Sequence, residues 1–124
     1  MDKGAMVAAG QALLGILDKS GIESRAAVWI HSTDIDAWKL WIVAQDKFAD
    51  KREFYRKVAE AIRENGALLD EIDPSDTDLV LATNPVIADL KRFARVEGGG
   101  SLEIGSSRIG NIYVDHAIIL RMAF

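Results

Sequence analysis

The apolar residues Met6, Ala9, Leu13, Leu14, Ile16 and Leu17 recur at intervals of three and four, which is one face of a helix. Gly21 stands where a left-handed C-terminal cap is wanted, so the pattern predicts a first helix over 4–19. Gly10 and Gly15 interrupt it, each costing about 1 kcal/mol relative to alanine. Their presence predicts close packing by another backbone, from the sheet or from a second subunit. The period then changes to two. Arg25 to His31 and Ala37 to Gln45 are rich in β-branched and aromatic residues and are separated by the polar turn formers of 32–36, which predicts a hairpin. In its second strand Trp38, Leu40, Ile42 and Ala44 share the core face. Trp41 and Val43 leave the other face half apolar, so a helix, another sheet or another molecule is expected to cover it.

Phe54, Tyr55, Val58, Ala59 and Ile62 return to the helical period, with Asp50 as N-cap and Asn65-Gly66 as the stop. The opposite face carries charges of both signs, including the four-apart pairs Glu53 with Lys57 and Arg56 with Glu60, and reads as solvated. An acidic loop over Asp70 to Asp78 leads into a short buried strand over Leu79 to Ala82. Asn84-Pro85 then starts a third helix with Val86, Leu90 and Phe93 as its stripe. Glu97 to Gly100 ends it and is too short to divide domains. Ser101 to Ile109 and Ile112 to Met122 flank Gly110-Asn111, a two-residue hairpin connection. In that register Ile109 faces Ile112, Ser106 faces Asp115 and Gly105 faces His116. The order α-β-β-α-β-α-β-β over 1–124 predicts one α+β domain: a five-stranded, mostly antiparallel sheet with three helices packed on it. Strand order does not follow from the pattern.

Composition narrows the chemistry. The 124 residues include no cysteine, which removes disulfides, thiolate metal sites and cysteine nucleophiles, and makes a reducing cytoplasm the expected setting. The net charge of −4 gives no general attraction for nucleic acid or anionic membrane. Acids interleave with Lys51, Arg52, Arg56, Lys57 and Arg63. Lys91, Arg92 and Arg95 have no close acids but follow a helix C-terminus, where the dipole attracts cations. Neither a nucleic-acid nor a membrane partner is expected. The apolar run 6–17 is too short to span a bilayer and lacks a cleavage site, so it reads as a packed helix.

Acid-base chemistry points to the two histidines. His31 lies just ahead of Asp34 and Asp36, and His116 follows Asp115, so either imidazole paired with one of these carboxylates is a candidate base. The structural reading competes: His31 as a polar strand end, and His116 as a core residue beside Val114, Ile118 and Leu120. If 112–122 is one regular strand, Asp115 and His116 point to opposite faces. A third ligand with metal spacing is missing, and the acidic loop lacks the glycine and alternation of a calcium loop, so neither metal nor cofactor is expected. Ser106, Arg108, Tyr113 and Asp115 share a face of the last hairpin, with Arg121 further along, and form either a pocket wall or ordinary cross-strand pairs. Trp29 and Trp41 are placed on one face with Ala27, His31 and Val43, as a core wall, a subunit interface or a ligand surface.

Two functional readings follow. One is a small cytoplasmic interaction or accessory module that self-associates as a homodimer and has a possible protein partner. The other is a small hydrolase using His31 or His116 with Asp34, Asp36 or Asp115. The enzyme needs these groups to converge within about 3 Å in a cleft. The module needs an exposed apolar surface.

Overall fold

A computed structural model describes residues 2–32, 36–45, 50–110 and 112–124. Helix α1 (Lys3–Lys19) starts at Asp2, whose carboxylate accepts from the Gly4 N–H, and leads to β1 (Ser24–Ser32) and β2 (Ala37–Ala44). Asp50 caps α2 (Lys51–Glu64) by accepting from the N–H groups of Arg52 and Glu53. A short α3 (Gly66–Leu69), a 3-10 turn at Pro74–Asp76 and β3 (Thr77–Leu79) follow. Then come α4 (Pro85–Leu90), β4 (Leu102–Ile104), β5 (Ser107–Ile109), β6 (Ile112–Val114) and β7 (His116–Met122).

The chain is mixed α+β, with the element order expected from the pattern. Its five-stranded sheet runs β3-β2-β1-β7-β4, and β5-β6 forms a separate ribbon. The sheet is mixed: β1 lies antiparallel to β2 and β7, and β4 antiparallel to β7, but β3 runs parallel to β2. The parallel edge arises because α2 carries the chain back before β3 begins, as a crossover must.

Two cores flank the sheet. On one side Met6, Leu13 and Leu17 of α1 and Phe54 and Val58 of α2 close over Trp29, Leu40, Ile42, Ile118 and Leu120. On the other, Val86, Ile87 and Leu90 of α4, with Ile109 and Val114 of the ribbon, close over Val28, Ile30, Val43 and Ile119. Trp38, Leu40, Ile42 and Ala44 face the first core, in line with the alternation. The opposite face, including Val43 and part of Trp41, is covered by α4 and the ribbon of the same chain. Trp41 and Val43 therefore no longer argue for a second subunit.

The sequence pattern misplaces several details, each for a local reason. Asp73 and Asp76 form a reciprocal capping box around the 3-10 turn, so β3 starts at Thr77 instead of Leu79, and Leu81 is left 71% exposed. Helix α4 stops at Leu90, which turns Phe93 out to 64% exposure in place of extending the buried stripe. The close approach at Gly10 comes from side chains: a Cβ there would meet Leu120 Cδ1 at 2.3 Å and Trp29 Nε1 at 3.1 Å, while Gly15 has nothing within 4 Å.

The last hairpin keeps its expected register. Ile109 faces Ile112, Ser107 faces Val114 and Ile104 faces Ala117. It is nevertheless split at Asp115 into two sheets. Gly110, at φ 63°, closes the ribbon where a Cβ would lie 2.7 to 2.8 Å from the Pro85 carbonyl group and Val86 N. Its N–H donates to Asp89, near the end of α4, at 3.1 Å, which pins the ribbon to that helix.

Candidate functional site

Register brings the two histidines together. On β1 His31 faces Trp38 of β2 on one side and His116 of β7 on the other, so an imidazole, an indole and a second imidazole occupy one row across three strands. The His31 and Trp38 ring centroids are 5.3 Å apart, and those of Trp38 and His116 are 5.7 Å apart in an edge-on arrangement. Such tilted contacts suit the ring quadrupole.

Each imidazole has its own carboxylate. Asp115 sits at the bend between β6 and β7, where its N–H donates to the His31 carbonyl and its Oδ2 lies 3.0 Å from His31 Nδ1. That contact assigns the Nδ1–H to Asp115 and leaves Nε2 as the other face of the ring. Asp36, at φ 46° and with a side chain 94% exposed, places Oδ1 3.6 Å from this Nε2. His116 Nε2 hydrogen-bonds Glu103 of β4, and Glu103 in turn accepts from Lys3 Nζ at 3.0 Å. Lys3 and His116, in that order of effect, hold the Glu103 carboxyl below its ordinary range.

Several expected placements are corrected. Asp115 and His116 do not belong to one regular strand, because the bend at Asp115 sends Val114 to the second core while Ile118 and Leu120 face the first. His116 is accordingly no core residue: its side chain is 24% exposed at the sheet end. Asp34 lies outside the described residues. Trp29 and Trp41 occupy opposite faces, since Trp29 pairs with Leu40 while Val28 pairs with Trp41. Trp29 is fully buried, with Nε1 donating to the Met6 carbonyl at 3.0 Å. Arg108 and Tyr113 are cross-strand partners on the exposed face of the ribbon, and Asp115 turns away from them to His31. Arg121 is bound instead to Asp18 of α1 through a two-point contact of 3.0 and 2.9 Å, and also donates to the Ser24 carbonyl.

Trp38, Glu103 and Lys3 complete the cluster and were not marked by the chemistry of the sequence. The register alone held a signal for Glu103: it faces Ile118, diagonal to His116 and on the same side of the sheet.

The cluster can orient two imidazoles and hold protons. Among the described residues, the three principal recesses are lined by other side chains. Among the described residues no hydroxyl hydrogen-bonds either imidazole. One apolar groove lies at the β2 and β3 edge, where Val43, Ala44, Leu79, Leu81 and Pro85 line it. Among the described residues, no helix is long and apolar enough to cross a membrane and no group of three ligand-type side chains could hold a metal ion. Comparison with protein-family models, curated proteins and solved structures gave no match.

Proposed function

We propose that this protein is a small cytoplasmic interaction module that works by associating with copies of itself. One observation carries the reading: Leu68, Leu81 and Phe93 are 63, 71 and 64% exposed, and all lie in the connections and short helix that flank the sheet rather than around the histidines. Each offers apolar area that contact with another copy would remove from water. The histidine cluster then has a fastening role, tying the bend at Asp115, the start of α1 and the end of β1 into one unit. Sedimentation of the protein over a micromolar concentration range tests the reading. A mass that rises with concentration above the single-chain 13.6 kDa supports it, and a constant 13.6 kDa overturns it.

The contact of His31 with Asp115 favours a second reading, a small hydrolase in which Asp115 orients His31 and Nε2 takes a proton from water. Hydrolysis of an activated ester that is lost in His31→Ala, with the fold retained, would support this reading over the first. Equal rates for the two proteins would remove it.

A further inference from the structure

Two surface patches are complementary in both shape of chemistry and sign of charge. After α4 the chain turns through Lys91, Arg92 and Phe93, all exposed. Among the described residues the Arg92 side chain makes no hydrogen bond or ion pair, and Lys91 Nζ lies 5.0 Å from the centre of the Phe124 ring without a carboxylate partner. At the end of α3, Leu68 is followed by Asp70 and Glu71, also exposed and also without an ion pair among the described residues. Each patch thus offers one large apolar side chain, about two-thirds exposed, beside two uncompensated charges of a single sign.

We propose that the Lys91, Arg92 and Phe93 patch of one copy docks on the Leu68, Asp70 and Glu71 patch of another. The occupant follows from the charges. In a chain of net charge −4, a local cationic patch with an aromatic centre selects an acidic surface carrying an apolar side chain, and the chain itself displays one. Packing Phe93 against Leu68 removes both from water, and the four charges set the register.

The two patches belong to layers on opposite sides of the sheet, since α3 packs with α1 and α2 over the first core and α4 covers the second. One partner copy therefore cannot meet both, and the contact is head-to-tail. It generates rings or open chains of copies instead of a closed pair. This inference rests on the reading that the protein self-associates, and names the surfaces.

The test is sedimentation of the full chain in about 0.01 M and about 1 M salt, which change the screening length roughly tenfold. Assemblies larger than two chains are expected at low salt, and dissociation toward 13.6 kDa at high salt. The doubly neutralised variants Lys91→Gln with Arg92→Gln, and Asp70→Asn with Glu71→Gln, should each associate about tenfold more weakly at low salt with an unchanged thermal midpoint. Mixing the two variants should restore association and stop it at two chains, because each retains one working patch. Association of the wild type that ignores salt and both variants would overturn the docking surfaces while leaving self-association intact. A wild type fixed at 13.6 kDa would overturn both.

Discussion

His31 and His116 stand directly opposite each other on β1 and β7, and the Trp38 indole touches both rings. Two imidazoles are thereby set side by side at one end of the sheet, and each is held by a carboxylate from a different segment. The arrangement makes the sheet end dependent on Asp115, which leaves the strand path to reach His31. Removing that carboxylate in Asp115→Ala should cost about 1–2 kcal/mol, a charged hydrogen bond discounted for partial exposure. Asp115→Asn retains an oxygen acceptor and should lose less than half as much. Urea unfolding of the three proteins decides the matter, and equal midpoints would mean that the contact holds nothing.

The two glycines of α1 should respond in opposite directions. At Gly10 an added methyl collides with Leu120, itself 1% exposed, and overpacking of this kind costs about 1–3 kcal/mol, more than the helix-propensity gain of about 1 kcal/mol. At Gly15 nothing lies within 4 Å, so Gly15→Ala should stabilise by about 0.5–1 kcal/mol. Thermal midpoints moving in the same direction for both variants would contradict the packing described at Gly10.

Acid should weaken the opposite end of the same cluster through Glu103. Its folded-state pKa lies below the ordinary value of 4.5 because Lys3 and His116 bind the ionised form. Such a group contributes stability that is complete above about pH 4.5 and is lost as the pH falls through the depressed value. Stability measured across this window should fall less steeply in Glu103→Gln than in the wild type. An identical slope in both would show that the contacts with Lys3 and His116 are not made in solution.

Arg121 supplies a geometric test. Its two-point contact with Asp18 and its bond to the Ser24 carbonyl use the fork of the guanidinium, with both side chains of the ion pair about one-quarter to one-third exposed. Arg121→Lys keeps the charge and loses the fork, and should cost about 1–2 kcal/mol. If lysine proves equivalent in chemical unfolding, charge alone accounts for the interaction.

Periodicity was sufficient where local chemistry and packing agree. The helices begin at Asp2, Asp50 and Asn84 because each side chain caps its own first turn, and the register of the last hairpin follows from Gly110. What escaped was set by contacts distant in sequence. The split at Asp115 depends on His31, 84 residues away, whereas Glu103, 13 residues from His116 and diagonal to it in the hairpin register, was within reach of the pattern. The opposite facing of Trp29 and Trp41 was within reach of alternation once the hairpin register was known. Phe93 was misread because the end of α4 at Leu90 carries no strong stop signal.

The position of β7 has a kinetic consequence. It lies between β1 and β4 near the middle of the sheet, yet its partner strand β1 is separated from it by most of the chain. The β1 and β2 hairpin can pair early, but its inner edge then stays open, with Val28 and Ile30 bared on one face and Trp29 on the other, until residues 116–122 arrive. A sheet whose central pairing closes so long a loop folds slowly for its size. Before that closure the inner edge of β1 is unprotected, and an open strand edge is the form in which a chain is most exposed to misassembly.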